Sequence, residues 1–405
     1  MRALLVTHGT RGDVQPFLAL AVELRARGHS ALLAAPASFA DAAAEHEVEF
    51  APLDEGPNRL MDDPVVKEAI DGGYRGVRGK VIAARTMTRI KPLMADVLRD
   101  VGEVARTSRA DVLVQSPSVP AQHAAQMLGI PAVLATLQPG WVPTKAFPCP
   151  MIPLPRLPRF LNRATYLTVT ATLRAYAGII TEWRTGQLGL PKGEAGHAMV
   201  LQAFSSLVTP VDPAWPDTVR TTGFWYLPAS PSWSAPDDLA AFLAGGPTVY
   251  IGFGSMAGRD AERVGRIVAE AVRLAGVRAV LATGWGGMTA TPSPDVFVID
   301  QAPHDWLFAR VSVVVHHGGG GTTAAALAAG VPQVVCPFVA DQPHWARRMH
   351  AVGVAPAPVP QRELNAHRLA ISINDALAGS RAAEAGALIR AENGVGAAVD
   401  ALQTL

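Results

Sequence analysis

Short runs of consecutive apolar residues alternate along this chain with longer stretches in which apolar positions recur every three or four residues. ALLVTH at 3–8 reads as a buried strand, PFLALAVELRARG at 16–28 as a helix opened by Pro16 and closed by Gly28, and SALLAA at 30–35 as the next strand. The apolar runs DVLVQ (111–115) and PAVLAT (131–136) flank the helix-like VPAQHAAQMLG (119–129). Short strands joined by helices predict a parallel sheet with right-handed crossovers, an α/β domain. From Gln138 to Pro158 prolines crowd out sheet and helix alike, which predicts a long ordered loop or flap, and a helical stretch follows from about Phe160 to Leu188.

The alternation restarts in the second half. TVYIGF (248–253), RAVLAT (278–283), DVFVI (295–299) and VSVVVHH (311–317) read as strands, AERVGRIVAEAVRLAG (261–276) as a helix, and after PQVVCPF (332–338) come helices to the end. The aperiodic, proline- and serine-rich stretch between the halves predicts a first domain over 1–222, a linker over 223–237 and a second domain over 238–405, whose terminal helix is a candidate to pack back on the first. Open parallel sheets bind ligands beyond the carboxyl ends of their strands. Two glycine loops, at 9–12 and 318–321, lie at such ends.

Glycines after a strand let the backbone approach a ligand closely, and a helix starting near Thr322 presents free N–H groups and the positive end of its dipole. That combination suits a phosphate, with His317 and the Thr322 hydroxyl as further donors. Four glycines also suit a tight turn without a ligand. The loop lacks the Lys of a Walker site, and Asp341, near the spacing of a Rossmann acid, instead follows CPFVA in the segment ADQPHW. Carboxylate beside carboxamide, Asp341 with Gln342, suits a polyol, because the pair both accepts from and donates to neighbouring hydroxyls.

Composition changes this picture only by exclusion. With 405 residues and 49% hydrophobic content, two cores are expected; 35 basic residues against 34 acidic, with no basic cluster among aromatics, give no nucleic-acid surface. Cys149 and Cys336 form neither a disulfide framework nor a zinc site, which fits a reducing cytoplasm. No apolar run is long enough for a signal peptide or a membrane span, so a cytoplasmic chain without stable membrane insertion is expected.

GTRGDVQP (9–16), GFGS (252–255), PHDWLF (303–308), HHGGGGTTAAALAAGVP (316–332) and PFVADQP (337–343), in this order, resemble the UDP-glycosyltransferase superfamily, in particular its sterol-glucosyltransferase and bacterial natural-product branch. The resemblance implies a GT-B fold, two Rossmann-like domains facing across a cleft, with the acceptor held mainly by the first and a UDP- or dTDP-sugar by the second. By motif, Asp13 stands at the catalytic base and Thr10 and Arg11 reach the diphosphate. Gly254 and Ser255 form one lip of the donor site, His317, Gly319, Gly320, Gly321 and Thr322 face the diphosphate, and Asp341 and Gln342 hold sugar hydroxyls. Gln301 and His304 stand where plant-type members carry a uracil-stacking Trp and a Gln, and Ala325 where they carry a ribose-binding Glu, so the base is left open.

No Asp-x-Asp element occurs and adjacent His316 and His317 chelate one ion poorly, so the helix end and His317 are expected to take a metal's place, with no cofactor. His316 reads as structural. A positioned, partly desolvated Asp13 suits deprotonation of an acceptor hydroxyl, and direct displacement inverts the anomeric carbon; Asp13 also suits a helix cap. Trp141, Phe147 and Met151 line either an apolar acceptor pocket or ordinary loop packing, and TKAFPCP (144–150) resembles a loop of sterol-type enzymes. The expected function is an inverting, metal-independent glycosyltransferase acting on a lipophilic, hydroxylated small molecule, sterol-like or macrocyclic. The alternatives are a non-catalytic nucleotide-sugar or lipophile binder, and a nucleotide-sugar epimerase.

Overall fold

A computed structural model describes residues 1–66, 76–151, 157–254, 261–284 and 288–405. The chain forms two compact units, Met1–Leu227 together with Glu392–Leu405, and Pro228–Ala391. Ser255 and the proline-rich residues 152–156 lie outside the described residues.

The first unit runs β1 (Arg2–Val6), α1 (Arg11–Ala26), β2 (Ser30–Pro36), β3 (Glu49–Leu53), α2 (Gly76–Ser108), β4 (Val112–Gln115), α3 (Gln122–Leu128), β5 (Ala132–Thr136), α4 (Leu167–Arg174), β6 (Met199–Gln202) and β7 (Val219–Thr221). The strands pair in the order β3-β2-β1-β4-β5-β6-β7, all parallel. Consecutive residues of β1 serve opposite faces. Ala3 and Leu5 join Phe17, Leu20 and Leu24 of α1, while Leu4 and Val6 join Val97, Leu98 and Val101 of α2. Burial on both faces is why these strands are unbroken apolar runs. Pro52 is tolerated because β3 lies at the sheet edge.

Helix α1 starts at Arg11, so Pro16 lies inside it and does not open it. Thr10 and Asp13 make a capping box that supplies the first turn, so the helix starts ahead of a proline that would otherwise begin it. The helical stretch expected over 160–188 is broken into α4, shorter helices at Asn162–Thr165 and Ala177–Glu182, and a π turn at Trp183–Gln187.

The second unit runs β8 (Thr248–Gly252), α5 (Ala261–Ala275), β9 (Arg278–Ala282), β10 (Val296–Ile299), β11 (Val313–His316), α6 (Gly320–Ala329), β12 (Gln333–Val335), α7 (Gln342–Ala351) and α8 (Ala366–Ala378). Its strands, again all parallel, pair as β10-β9-β8-β11-β12. Val249, Ile251, Val313 and Val315 pack with α5 and α8, and Tyr250, Val280 and Val314 with Leu307 and Phe308. In each sheet the connections leave in opposite directions on either side of one strand pair, β1/β4 and β8/β11, the crevice where open α/β sheets bind ligands.

Part of the stretch read as a linker is core. Trp225 meets Phe17 edge-to-face at 6.0 Å and its indole N–H donates to Thr222 Oγ1 at 3.1 Å, so 223–227 belong to the first unit. The C-terminal helix α9 (Gly394–Leu402) packs on α1, with Val399 and Leu402 in the same core and Arg27 paired with Asp400. Gly394 is the contact point: a Cβ there would stand 2.4 Å from the Phe224 carbonyl oxygen. Gly394→Ala therefore destabilises the first unit by about 1–3 kcal/mol, measured as a lowered urea midpoint by amide hydrogen exchange of α1 and β1. An unchanged midpoint contradicts this packing.

Candidate functional site

The expected site residues fall into two groups, one in each unit. In the second unit, β8 and β11 run side by side and end together, with His316 level with Gly252. The loop that follows β11 is held by His316. Its ring is fully buried; Nδ1 accepts the Gly318 N–H at 3.1 Å, so Nε2 carries the proton and donates to Gln333 Oε1 at 2.8 Å. The Gln333 amide in turn donates to the Thr323 carbonyl at 3.3 Å. Burial pushes the His316 pKa down to about 3, so it stays a neutral strut.

Helix α6 begins at Gly320 with Gly319 as its cap, two residues ahead of the start expected near Thr322. The glycines permit this. A Cβ at Gly319 would stand 2.5 Å from His317 Nε2, one at Gly318 would stand 2.9 Å from Val335, and one at Gly320 would stand 3.4 Å from the Trp345 indole nitrogen. Gly318 also has φ +89°, where glycine is favoured. Among the described residues the N–H groups of Gly320, Gly321 and Thr322 find no acceptor, so the open end of α6 presents donors and a positive dipole end.

His317 lies beside those donors. A Cβ at Gly254, at the end of β8, would stand 3.5 Å from its Cε1, so Gly254 and His317 adjoin. His317 Nδ1 is buried and has no hydrogen-bond partner among the described residues, and burial pushes the ring's pKa down to about 4. A buried polar nitrogen left without a partner costs free energy unless a ligand completes it.

Asp341 and Gln342 close the same corner. Asp341 Oδ2 accepts from the Trp345 indole at 2.7 Å, while Gln342 Oε1 accepts the N–H groups of Phe338 (2.8 Å) and Val339 (3.1 Å). A Cβ at Gly318 would stand 3.2 Å from the Gln342 carbonyl oxygen, which ties this loop to the glycine loop. Gln342 is buried and its oxygen is spent on shaping the 337–341 backbone, whereas Asp341 remains half-exposed. Gln301 is exposed and the His304 ring stacks on Phe308 at 4.4 Å, within the hydrophobic layer under α6.

In the first unit Asp13 is the third residue of α1. Its Oδ2 accepts the Thr10 N–H at 2.8 Å and the Thr10 hydroxyl at 3.1 Å; among the described residues its Oδ1 accepts nothing. Gly9, at φ +140°, is required here, because a Cβ would stand 2.4 Å from Asp13 Oδ2. The Gly9 carbonyl accepts from Asn58 Nδ2 at 2.8 Å. Burial raises the Asp13 pKa above the ordinary carboxylate value, against the opposing hydrogen bonds from Thr10 and the charge of nearby His8. His8 itself is buried, with Nε2 2.9 Å from the Asp54 carbonyl oxygen, and burial lowers its pKa. Arg11 is exposed at the helix start.

Trp141, Phe147 and Met151 sit on the loop beyond β5. Three anchors fold it onto the following helices: Cys149 N–H to Thr165 Oγ1 at 2.7 Å, Asn162 Nδ2 to the Lys145 carbonyl at 2.9 Å, and the Tyr166 hydroxyl to the Phe147 carbonyl at 3.4 Å. Trp141 Nε1 is buried without a partner among the described residues, and Met151 is exposed. Sequence reasoning passed over His8, Asn58, Gln333 and Trp345; the only local signal for any of them was Trp345 four residues beyond Asp341, one helical turn away.

A family described as "Glycosyltransferase family 28 N-terminal domain" matches residues 3–135, and one described as "Erythromycin biosynthesis protein CIII-like, C-terminal domain" matches residues 266–397. The chain belongs to the GT-B glycosyltransferases. Among relatives of this GT-B chain, a sterol 3-beta-glucosyltransferase of Aspergillus oryzae is 34% identical over 428 residues, covering 99% of this chain and 30% of the relative. One from Emericella nidulans is 33% identical with the same coverage. The chain thus spans about 30% of the length of these curated relatives. A crystal structure of the glycotransferase of kitacinnamycin matches with TM-score 0.71 and 20% identity, over 100% of this chain and 98% of the other. Spinosyn rhamnosyltransferase SpnG, complexed with thymidine diphosphate, matches with TM-score 0.65 and 22% identity over 100% of both chains. These likenesses establish the shared GT-B fold.

The His317 ring, with its Nδ1 buried, gives a direct prediction. Its protonation is resisted in the folded state, so NMR of the ring nitrogens shows it neutral as pH falls through 6.5, with a midpoint near 4. A midpoint near 6.5 contradicts the burial.

Proposed function

We propose that this chain is an inverting glycosyltransferase that moves a sugar from a nucleoside-diphosphate donor to a hydroxyl of a lipophilic small molecule without a metal. The observation that carries the reading is the corner at the end of β11, where His317, whose Nδ1 is buried without a partner among the described residues, adjoins Gly319, the cap of the helix whose Gly320, Gly321 and Thr322 amides are open. A neutral imidazole N–H and a helix end are donors suited to an anion of high charge, and a diphosphate leaving group gathers charge as its bond to the sugar breaks. The neighbours solved with thymidine diphosphate support the donor class, and the relatives named sterol 3-beta-glucosyltransferases support a hydroxylated polycyclic acceptor.

In this reading Asp13 Oδ1 takes the proton of the acceptor hydroxyl. The acceptor oxygen forms the new bond to the anomeric carbon, the bond from that carbon to the diphosphate oxygen breaks, and the nucleoside diphosphate departs with the electron pair. Attack opposite the leaving group inverts the carbon. The raised pKa of Asp13 makes it a better base than a solvated carboxylate, and such assistance is worth roughly 10²- to 10⁴-fold. Its other oxygen, tied to Thr10, orients the carboxylate, so the capping and catalytic roles are compatible. Asp341 and Gln342 would serve the sugar, and Trp141, Phe147 and Met151 the acceptor.

Incubation with UDP-glucose or a dTDP-sugar and a panel of hydroxylated lipophiles, read by mass spectrometry, tests this. A product heavier by one sugar residue is expected, formed undiminished in EDTA. Asp13→Asn keeps an oxygen for the Thr10 cap, so it loses transfer by at least about 10²-fold while retaining nucleotide affinity. Donor turnover without an acceptor would instead identify an epimerase, and donor binding without any turnover a binding protein.

A further inference from the structure

We propose that α4 and the turn preceding it form a peripheral docking face for an anionic phospholipid surface. Charge along this part of the chain is one-sided: residues 112 to 181 contain no Asp or Glu, although acids and bases nearly balance over the whole sequence. Elsewhere the exposed arginines are commonly paired, as with Arg99–Asp96, Arg273–Glu270 and Arg381–Glu384. Arg159, Arg163 and Arg174 are exposed and, among the described residues, meet no carboxylate.

Large apolar side chains stand among these arginines. Phe160 is 75% exposed, Leu167 67% and Leu173 47%. In α4, Leu167, Thr170, Ala171 and Arg174 recur at helical spacing as one exposed stripe, while Tyr166 just before the helix is buried and Val169 half-buried. Isolated exposed leucines are ordinary, but here they share a short segment with unpaired cations. Interspersed apolar and cationic side chains match the boundary between headgroups and acyl chains, where rings and leucines enter the apolar layer and guanidinium groups remain with phosphates. Among the described residues no helix is long and apolar enough to cross a membrane, so the contact is peripheral.

The face is joined to the candidate acceptor loop. Asn162 and Thr165 of the short helix before α4, and Tyr166, make the three hydrogen bonds that hold the Lys145–Cys149 backbone. Docking would bring that loop to the lipid boundary, where a lipophilic acceptor concentrates. This consequence rests on the glycosyltransferase reading; the docking itself does not.

Flotation of the full chain with vesicles tests it without turnover, so either reading can fail alone. The chain is expected to float with phosphatidylcholine vesicles containing phosphatidylglycerol and not with phosphatidylcholine alone, and to be released by high salt. Arg163→Ala and Arg174→Ala each lower the partition coefficient about five-fold, and Phe160→Ser with Leu167→Ser lowers it further. All four positions are exposed, so unaltered thermal midpoints verify folding. Absence of flotation with anionic vesicles, equal flotation with both compositions, or variants that float like the wild type would overturn the proposal. So would a dimer that the same substitutions dissociate, which would assign the face to a second copy.

Discussion

The strand β11 ends in the interior, and α6 must begin within four residues if its first amides are to open at the end of the sheet. His316 makes that handover rigid. One ring nitrogen takes the Gly318 amide and the other gives to Gln333, whose side chain reaches the Thr323 carbonyl, so strand end, loop and first helical turn share one buried network. A protonated His316 could not accept from Gly318, and complete burial keeps it neutral. The glycines complete the constraint, because a side chain at Gly319 would strike the His317 ring and one at Gly318 would strike Val335. The geometry offered to an anion follows from this loop.

Two titratable groups are driven in directions that suit transfer chemistry. Burial keeps His317 uncharged, so in the proposed reaction it would meet a diphosphate as a hydrogen-bond donor and not as half of an ion pair. Burial also raises Asp13, which increases its basicity toward an acceptor hydroxyl. Gly9 admits the carboxylate against the backbone, and Thr10 fixes one oxygen while leaving the other unengaged.

The central strands and the glycine loops were legible in the sequence because burial on both faces leaves an uninterrupted apolar run. The edge strands of the first sheet, β3 and β7, were not. β3 carries Glu49 and Pro52, permitted by its place at the edge, and β7 is three residues long with an exposed Arg220. The start of α1 was misplaced because a proline signal outweighed a Thr-x-x-Asp cap, which is weaker than the usual Ser/Thr-x-x-Glu pattern. Phe224 and Trp225 were hidden by the prolines and serines that follow them, although both are buried. At the site, motif resemblance pointed to His317 and Asp13, but the anchoring of the adjacent His316 by Gln333 and the two hydrogen bonds by which Thr10 holds Asp13 become evident only in space. The same is true of Gln342, whose oxygen is committed to backbone amides.

Calorimetric comparison of thymidine diphosphate with thymidine, on the wild type and on His317→Ala, tests the central claim most directly. The account predicts that the diphosphate binds wild type far more tightly than the nucleoside, and that His317→Ala weakens the diphosphate by about ten-fold or more while leaving nucleoside binding unchanged. Equal losses for both ligands, or a diphosphate that binds no better than the nucleoside, would contradict it.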